Sequence, residues 1–156
     1  DGIDVLYRGE SADVLLVSVG AMAKICVEAA SQAYREGVGV TVIDPRWVKP
    51  LPQSLLTMAR RYKSVVVVED GIRHGGIAST ISEMFRDAEL DVPIHSIGVP
   101  LEFIEHSKRG EIMTDLGITA QNITHQLVSW SSSLKTDLKR ELMPEKQRPA
   151  DENSPR

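Results

Sequence analysis

Runs of apolar residues separated by polar turns divide the chain into strand-like stretches. Three of these runs, 13–19, 38–44 and 64–69, are nearly continuous in apolar and mostly β-branched residues. Strands that are covered on both faces have this composition, and such strands are usually parallel. Two shorter stretches, 3–7 and 92–97, complete a predicted set of five strands.

Stretches with helical periodicity lie between these strands. Apolar residues recur on one helical face over 22–33, and Gly37 follows at a position where glycine commonly ends a helix. A second stripe covers 55–62, after Pro52, which suits a first helical turn. A third stripe covers 77–88. The chain therefore alternates between strand and helix.

The last part of the chain holds one more helix and then changes in character. Thr119 is a suitable N-cap, and Ile118 before it can pack against Ile123 in the first turn. From Lys135 onward the sequence is charged, contains three prolines and has few large apolar residues. We therefore predict a folded domain over residues 1–134 and a solvated tail over residues 135–156.

The order of these elements predicts the fold class. Strand–helix–strand units form right-handed crossovers, which place helices on both faces of an open sheet. We predict a three-layer α/β/α sandwich with a mostly parallel sheet of five strands. In such folds ligands bind outside the carboxyl ends of the strands, where helix N-termini present free N–H groups.

Composition and charge limit the classes of function. A chain of 156 residues has room for one ordinary domain, and its net charge of −4 argues against nucleic acid as the main partner. No apolar run approaches the roughly 20 residues that cross a bilayer, so no membrane partner is expected. The single cysteine, Cys26, excludes an internal disulfide, and a cytoplasmic location fits best.

One loop at the predicted carboxyl edge has the composition of an anion site. Residues 69–76 read EDGIRHGG, which combines basic side chains with glycine backbone donors. The two acidic residues at its start would, however, repel a phosphate placed over the strand end. The candidate residues of this site, together with one arginine from the preceding loop, are Arg46, Glu69, Asp70, Arg73, His74, Gly75 and Gly76.

The known phosphate-binding motifs do not fit this loop. No lysine follows Gly75 and Gly76, as a Walker motif requires. With Gly71 they also lack the Gly-x-Gly-x-x-Gly spacing of dinucleotide-binding loops. Glycines of this kind also let elements pack closely or let another surface approach the backbone. We favour this second interpretation over an anion site.

No stretch of the sequence assembles a nucleophile, a base and an oxyanion site. The four histidines are far apart, and Cys26 falls on the apolar stripe of the first helix, where a packed thiol is expected. Glu102, Glu105 and His106 are best explained by a short surface helix with one capping carboxylate. We predict no catalytic, cofactor-binding or metal-binding residue in this chain.

Three segments in order resemble the C-terminal domain of the transketolase superfamily, a group of thiamine-diphosphate enzymes. They are the Asp-Pro-Arg-Trp-Val turn at 44–48, the acidic pair ahead of Gly-Gly at 69–76, and Gly-x-Pro-x-x-Phe-x-x-His at 98–106 with Leu-Gly-Ile-Thr at 116–119. The resemblance is greatest to the 1-deoxy-D-xylulose-5-phosphate synthases. It extends over about 3–134, which is the whole predicted domain.

The resemblance implies a fold and a parent enzyme. The implied sheet order is 1-3-2-4-5 with an antiparallel first strand, and the stretch at Ile3 is able to pair with the edge strand that begins at Val38. The implied enzyme is a homodimer that condenses pyruvate with glyceraldehyde 3-phosphate for isoprenoid biosynthesis. Its cofactors are thiamine diphosphate and Mg²⁺, and its catalytic glutamate lies in a preceding domain.

The same resemblance implies that the chemistry lies outside this chain. The family holds its diphosphate and Mg²⁺ with Gly-Asp-Gly and an asparagine some way further along, oxygen ligands that suit a hard cation. Glu69-Asp70-Gly71 only imitates the start of that motif, and Asn122 is too distant. We therefore expect no cofactor in this domain, no activity of the chain alone, and the N-terminal domains of the same enzyme as its partners.

Two other functions remain open at this point. One is a free-standing module that binds a nucleotide or phosphate at the strand ends, and the other is a separate subunit of a split thiamine enzyme. Under the leading hypothesis, Glu69, Arg73, His74 and the backbone of Gly75 and Gly76 contact another domain or subunit. That hypothesis predicts that Gly75→Val weakens assembly of the full-length enzyme.

Overall fold

The computed structural model describes residues 2–142, which form one five-stranded sheet with helices on both faces. The sheet order is β1-β3-β2-β4-β5, with β1 antiparallel to β3 and all other pairs parallel. The predicted order and the antiparallel first strand are thus confirmed. The strands are β1 (Asp4–Tyr7), β2 (Val14–Ser18), β3 (Val40–Asp44), β4 (Ser64–Ile72) and β5 (Ile94–Val99).

The helices alternate with the strands as their periodicity predicts. Gly37, just beyond the first helix, has a φ of +77°, the left-handed conformation that glycine adopts at helix ends. A 3-10 turn at Gly20–Met22 leads into this helix. The helices are α1 (Ala23–Arg35), α2 (Ser54–Ala59), α3 (Ile77–Asp87), α4 (Arg109–Asp115) and α5 (Ala120–Glu141).

The two faces of the sheet form separate core layers. In β2, Val14 and Leu16 pack with α1 and α5, whereas Leu15 and Val17 pack with α2 and α3. Successive side chains of a strand point to opposite faces, so burial of both sets requires a cover on each side. This double burial explains the continuous apolar runs, and it confirms the predicted α/β/α sandwich.

Helix α5 begins where the sequence predicts but extends further. The Thr119 hydroxyl accepts a hydrogen bond from the backbone N–H of Asn122 at 3.3 Å, and Ile118 and Ile123 are both buried in the same layer. The helix continues to Glu141, seven residues beyond the expected domain boundary at Leu134. Five of the seven residues 135–141 are lysine, leucine, arginine or glutamate, which are good helix formers, and the prolines come later. Of the predicted tail, residues 143–156 lie outside the described residues.

The segment after β5 differs from the expected short helix. Residues 101–108 are irregular, and the helix begins only at Arg109. Its capping carboxylate belongs to Glu111, which accepts hydrogen bonds from the Ser107 hydroxyl and the Lys108 backbone N–H. A carboxylate in the first turn that reaches back in this way fixes the start of a helix. The predicted helix over Glu102 and His106 was therefore placed too early in the chain.

Asp13 joins three elements at the amino edge of the sheet. Its buried carboxylate accepts hydrogen bonds from the Ser11 hydroxyl at 2.6 Å, the Gly39 backbone N–H at 3.0 Å and the Lys63 ammonium at 2.6 Å. Burial alone would raise the pKa of this carboxyl, but the three hydrogen bonds outweigh burial and lower the pKa of Asp13 to about 2. The folded state therefore favours the ionised form.

We expect Asp13→Asn to reduce the free energy of unfolding at pH 7. The pKa shift corresponds to about 2 kcal/mol, and because the Lys63 side chain is 51% exposed and partly screened by water, about 1–2 kcal/mol is expected. Urea denaturation of both proteins as a function of pH measures this loss.

The pH dependence separates the charge from the shape of the side chain. Because the folded state lowers the pKa, the stabilisation is complete above the unfolded pKa near 4 and is lost as the pH falls toward about 2. The wild-type and Asp13→Asn proteins should therefore converge at pH 2. An equal gap in stability at pH 7 and pH 2 would contradict this account.

Candidate functional site

The carboxyl ends of the parallel strands meet at one edge of the sheet, which we call the strand-end face. It comprises the loops that follow β2, β3, β4 and β5, namely 19–22, 45–51, 73–76 and 100–108. Antiparallel β1 adds its first residue, Asp4, to this edge. Doubly covered sheets bind ligands here, so the side chains of this face decide between a ligand site and a protein contact.

Glu69 occupies the place where an anion would bind. This residue is only 5% exposed, and its carboxylate accepts hydrogen bonds from the backbone N–H groups of Ile77 at 3.0 Å and Ala78 at 3.3 Å. These N–H groups open α3, whose N-terminus carries a partial positive charge. The chain thus satisfies this helix end with its own carboxylate, which leaves no room for a phosphate on the same donors.

Two glycines make room for that carboxylate. A Cβ on Gly76 would lie 2.6 Å from the Ile72 carbonyl oxygen and would also overlap the Glu69 carboxylate. A Cβ on Gly98 would lie 3.1 Å from the Gly71 carbonyl oxygen and 3.3 Å from Cγ of Glu69. Both glycines therefore allow close internal packing, which for Gly76 is one of the two roles that the sequence analysis favours for the loop glycines.

Gly75 is needed for a different reason. Its φ is +76°, in the left-handed region, and no atom lies within 4 Å of the position that a Cβ would take. A substitution at Gly75 therefore acts first through backbone strain and not through a steric clash. The effect of Gly75→Val on an assembled enzyme would include this local strain.

Two of the candidate charges at the strand-end face are already paired. Arg46 donates two hydrogen bonds to Asp4, one of them from Nε at 2.6 Å, and this contact lowers the pKa of the Asp4 carboxyl. Asp70 accepts a hydrogen bond from Arg109 at 2.9 Å. Both pairs are largely exposed, so each contributes little to stability. They do neutralise their charges locally.

Other basic groups on this face remain unpaired. The side chains of Lys49, Arg73 and His74 are exposed, and within residues 2–142 they have no hydrogen-bond or ion-pair partner. The backbone N–H of Arg73 does bond to the Val99 carbonyl at 2.8 Å, which fixes the course of the loop beside β5. The structure therefore presents unpaired basic side chains on two loops of this face.

The same face also exposes large apolar side chains that the sequence analysis did not select. Trp47 lies in the loop after β3 and is 66% exposed, and Ile72 is the last residue of β4 and is 50% exposed. Leu101 and Phe103 lie in the loop after β5 and are 73% and 92% exposed. Exposed apolar side chains that cluster on one face are typical of protein contact surfaces. The sequence holds one signal that could have predicted their exposure: Leu101 and Phe103 are large apolar residues that belong to no predicted helical stripe or strand.

The remaining chemical groups do not form a second site in the described part of the chain. Cys26 is fully buried, and burial raises the pKa of its thiol to about 12, which fits the predicted packed thiol. His95 stacks on Trp130 with ring centres 4.2 Å apart, and burial lowers the pKa of His95.

Among residues 2–142, no three side chains of His, Cys, Asp or Glu come together as metal ligands. None of the helices there is both long and apolar enough to span a bilayer.

Known proteins match this sequence over most of its length. The family described as "Transketolase, C-terminal domain" matches residues 4–123. A 1-deoxy-D-xylulose-5-phosphate synthase from Mycobacterium sp. (strain KMS) is 46% identical over 136 residues, or 85% of this chain and 21% of the relative. The 1-deoxy-D-xylulose-5-phosphate synthase 2 of Streptomyces avermitilis is 44% identical over 135 residues, with the same coverage. The chain belongs to the transketolase C-terminal domain family.

Solved structures agree with this assignment. A chain described as "Split gene transketolase, inactive beta4 tetramer" superposes on this domain with a TM-score of 0.74 and 29% identity, covering 85% of this chain and 43% of the other. Campylobacter jejuni transketolase superposes with a TM-score of 0.60 at 14% identity, which shows a shared fold. The transketolase C-terminal domain described here spans about a fifth of the length of its curated relatives.

The seven candidate residues all lie at or next to the strand-end face of this transketolase C-terminal domain, but they play different structural parts. The side chain of Glu69 turns inward, whereas Arg73 and His74 face solvent. Arg46 and Asp70 pair with residues that the sequence analysis did not connect to them, Asp4 and Arg109. Gly75 and Gly76 shape the turn.

We expect Glu69→Ala to destabilise the domain by about 1–2 kcal/mol, the usual cost of removing a helix cap. The two N–H groups of α3 then lose their acceptor. Urea denaturation measures the change, and hydrogen exchange at Ile77 and Ala78 locates it. Glu69→Gln retains one acceptor oxygen and should cost less, and exchange at both sites that stays as slow as in the wild type would contradict the capping role.

At Gly75 the expected effect is conformational. Gly75→Val should lower the free energy of unfolding of this domain by about 1–2 kcal/mol, because a β-branched residue strongly disfavours a positive φ. Gly75→Asn should cost less, because asparagine adopts this conformation more readily. Thermal unfolding of the two variants measures the difference, and equal losses would show that backbone strain is not the cause.

Proposed function

We propose that the chain is the C-terminal domain of a 1-deoxy-D-xylulose-5-phosphate synthase-like enzyme and that it serves assembly, not catalysis. The observation that carries this proposal is 46% identity over 85% of the chain to a synthase of which it spans only 21%. The parent reaction would condense pyruvate with glyceraldehyde 3-phosphate, with loss of carbon dioxide, in the cytoplasm. Its product would enter isoprenoid biosynthesis.

The described residues do not fit the cofactor of such an enzyme. Thiamine diphosphate with Mg²⁺ needs several oxygen ligands arranged around a hard cation. The only similar stretch here is Glu69-Asp70-Gly71, in which the first carboxylate caps α3 and the second is bonded to Arg109. The Glu69 carboxylate is thus buried against α3 and one oxygen of Asp70 is bonded to Arg109, so this stretch does not present the oxygen ligand set that Mg²⁺ requires. We therefore assign cofactor binding and catalysis to other domains of the enzyme.

The assembly role is supported by the composition of the strand-end face. Four large apolar side chains are exposed there, namely Trp47, Ile72, Leu101 and Phe103. Aromatic anchors surrounded by polar groups are typical of protein interfaces. A homodimeric parent enzyme offers two surfaces for this face, which are the remainder of its own subunit and the second subunit.

Of the alternative functions, one gains support from a relative. The solved split-gene transketolase is described as an inactive β4 tetramer, so a related domain occurs in a separate subunit of that protein. A separate subunit is thus the second candidate for this chain. A free-standing phosphate-binding module is less favoured, because Glu69 already occupies the N-terminus of α3.

A chimeric enzyme tests the proposed function. In the Mycobacterium sp. (strain KMS) synthase, this domain would replace the matching segment, and kcat/KM would be measured with pyruvate and glyceraldehyde 3-phosphate. We expect activity within about tenfold of the parent, whereas the enzyme lacking the segment should be inactive. A soluble, folded chimera without activity would argue against the proposal.

Addition of this chain in trans to the truncated enzyme would restore activity only if the chain acts as a separate subunit.

Paired variants of the chimera test the assembly role. Leu101→Ser combined with Phe103→Ser should reduce activity or dimerisation, because both side chains are removed from the strand-end face. Leu6→Ser is the matched control, since Leu6 is a 40% exposed apolar residue of β1. Unchanged dimerisation and activity in the double variant would refute an assembly role for these two residues.

A further inference from the structure

We propose that residues 100–117, the segment that joins β5 to α5, form a strap that opens and closes over a cavity beside α1. The strap consists of an irregular stretch and α4. Its far end is fixed at Gly117 and Ile118, and an ion pair between Arg109 and Asp70 holds it closed. The opening of the strap is a property of this chain by itself and does not depend on the proposed function.

The strap has few attachments to the rest of the domain. α4 contains no buried residue, whereas α1 and α3 bury four and three. Met113 and, just after the helix, Leu116 pack against the core but remain partly exposed. Within residues 2–142, only one hydrogen bond or ion pair joins 100–115 to another element, and it links Arg109 to Asp70. Segments with so few buried contacts open at a lower free energy than the core.

The two ends of α4 are held in different ways. At the C-terminal end, the backbone N–H of Ile118 donates a hydrogen bond to the Met113 carbonyl at 2.8 Å, across Gly117, whose φ is +70°. This arrangement commonly ends a helix, and Ile118 anchors it because its side chain is buried in the core. At the N-terminal end, the Arg109 guanidinium lies 2.9 Å from the Asp70 carboxylate. When that ion pair breaks, the helix is free to turn about its C-terminal end.

A cavity of about 840 Å³ lies beside α4 and gives the strap room to move. α4 forms one of its walls, and the 3-10 turn, α1 and the start of α5 form the others. Apolar side chains of all four elements line it, namely Met22, Ile25, Met113 and Ile118. Outward movement of α4 removes one wall and exposes these side chains to water, so the hydrophobic effect favours the closed position.

The ion pair sets how often the strap opens. The side chains of Arg109 and Asp70 are 56% and 39% exposed, so water and salt weaken their attraction. An exposed pair of this kind changes an equilibrium by roughly two- to fivefold. Asp70 lies at the strand-end face, where another charged group is able to compete for either partner. The strap is therefore held by an interaction that is simple to break and to re-form.

The strap also carries part of the strand-end face. Leu101 and Phe103 belong to the irregular stretch between β5 and α4, so they shift when α4 moves. The position of the strap thus determines how these two exposed side chains are presented to another protein surface. This consequence, unlike the opening itself, rests on the proposed assembly role.

NMR of the methionine methyl groups in the full chain tests whether the ion pair holds the strap closed. Met22 and Met113 line the cavity from the 3-10 turn and from α4. Their methyl signals report the open population through peak position, a second peak or relaxation dispersion, according to the exchange rate. Arg109→Gln should raise that population roughly two- to fivefold. Salt at about 1 M should raise it in the wild type but not in Arg109→Gln.

A charge exchange separates the attraction from the shape of the side chains. Asp70→Arg alone places two positive charges together and should open the strap at least as much as Arg109→Gln does. Asp70→Arg combined with Arg109→Asp restores an ion pair with the signs reversed. The open population should then return to within about twofold of the wild-type value.

A second exposed ion pair provides the matched control. Arg46→Gln breaks the similarly exposed pair with Asp4 of β1, at the opposite edge of the sheet from β5, and should leave the methyl signals unchanged. Identical signals in the wild type, in Arg109→Gln and at high salt would overturn the proposal. A charge exchange that leaves the strap as open as Arg109→Gln does would also overturn it. The activity of the chimeric synthase is a separate measurement, so failure of this proposal is distinguishable from failure of the proposed function.

Discussion

The cover on both faces of the central strands is the constraint on which the rest of the structure depends. β2 and the first six residues of β4 are buried on each side, so helices must flank the sheet in two layers. With both faces used for the core, only the strand ends and the outer helix surfaces remain for interaction with other molecules. The location of the candidate contact surface thus follows from hydrophobic burial before any specific residue is considered.

The two edges of the sheet use buried carboxylates in the same structural way. Asp13 holds the starts of β2 and β3 together with the segment before β4, and Glu69 holds the end of β4 against the start of α3. In each case an acidic side chain accepts hydrogen bonds from backbone N–H donors that would otherwise be left without a partner, one for Asp13 and two for Glu69. The sequence analysis predicted this framework role for neither residue, Asp13 being placed in a strand run and Glu69 among the candidate contact residues.

The fold was largely predictable because its signals are local and periodic. Continuous apolar runs identified the buried strands, and the stripes ending at Gly37 and starting after Thr119 identified α1 and α5. The strand order depended on resemblance to a family, because pairing partners are distant in sequence. The end of α5 was missed because a charged segment such as 135–141 can be either a solvated coil or an exposed helix.

The candidate site was predictable in place but not in detail. The glycine loop does lie at the strand ends, yet the inward turn of Glu69 depends on the close approach of Gly76 and Gly98, which a linear pattern does not show. The pairing of Asp70 with Arg109 joins residues 39 positions apart. Phe103 escaped notice because large apolar residues in loops have no period, and their exposure is known only after folding.

The engagement of Glu69 with α3 also suggests how easily this scaffold changes its role. The N-terminus of α3 offers two backbone donors close in sequence to the exposed side chains of Arg73 and His74, and one carboxylate from the preceding strand closes that position. Removal of this single side chain would convert an occupied helix end into an open anion receptor. Whether the two backbone donors at this helix end are occupied or open thus depends on one side chain.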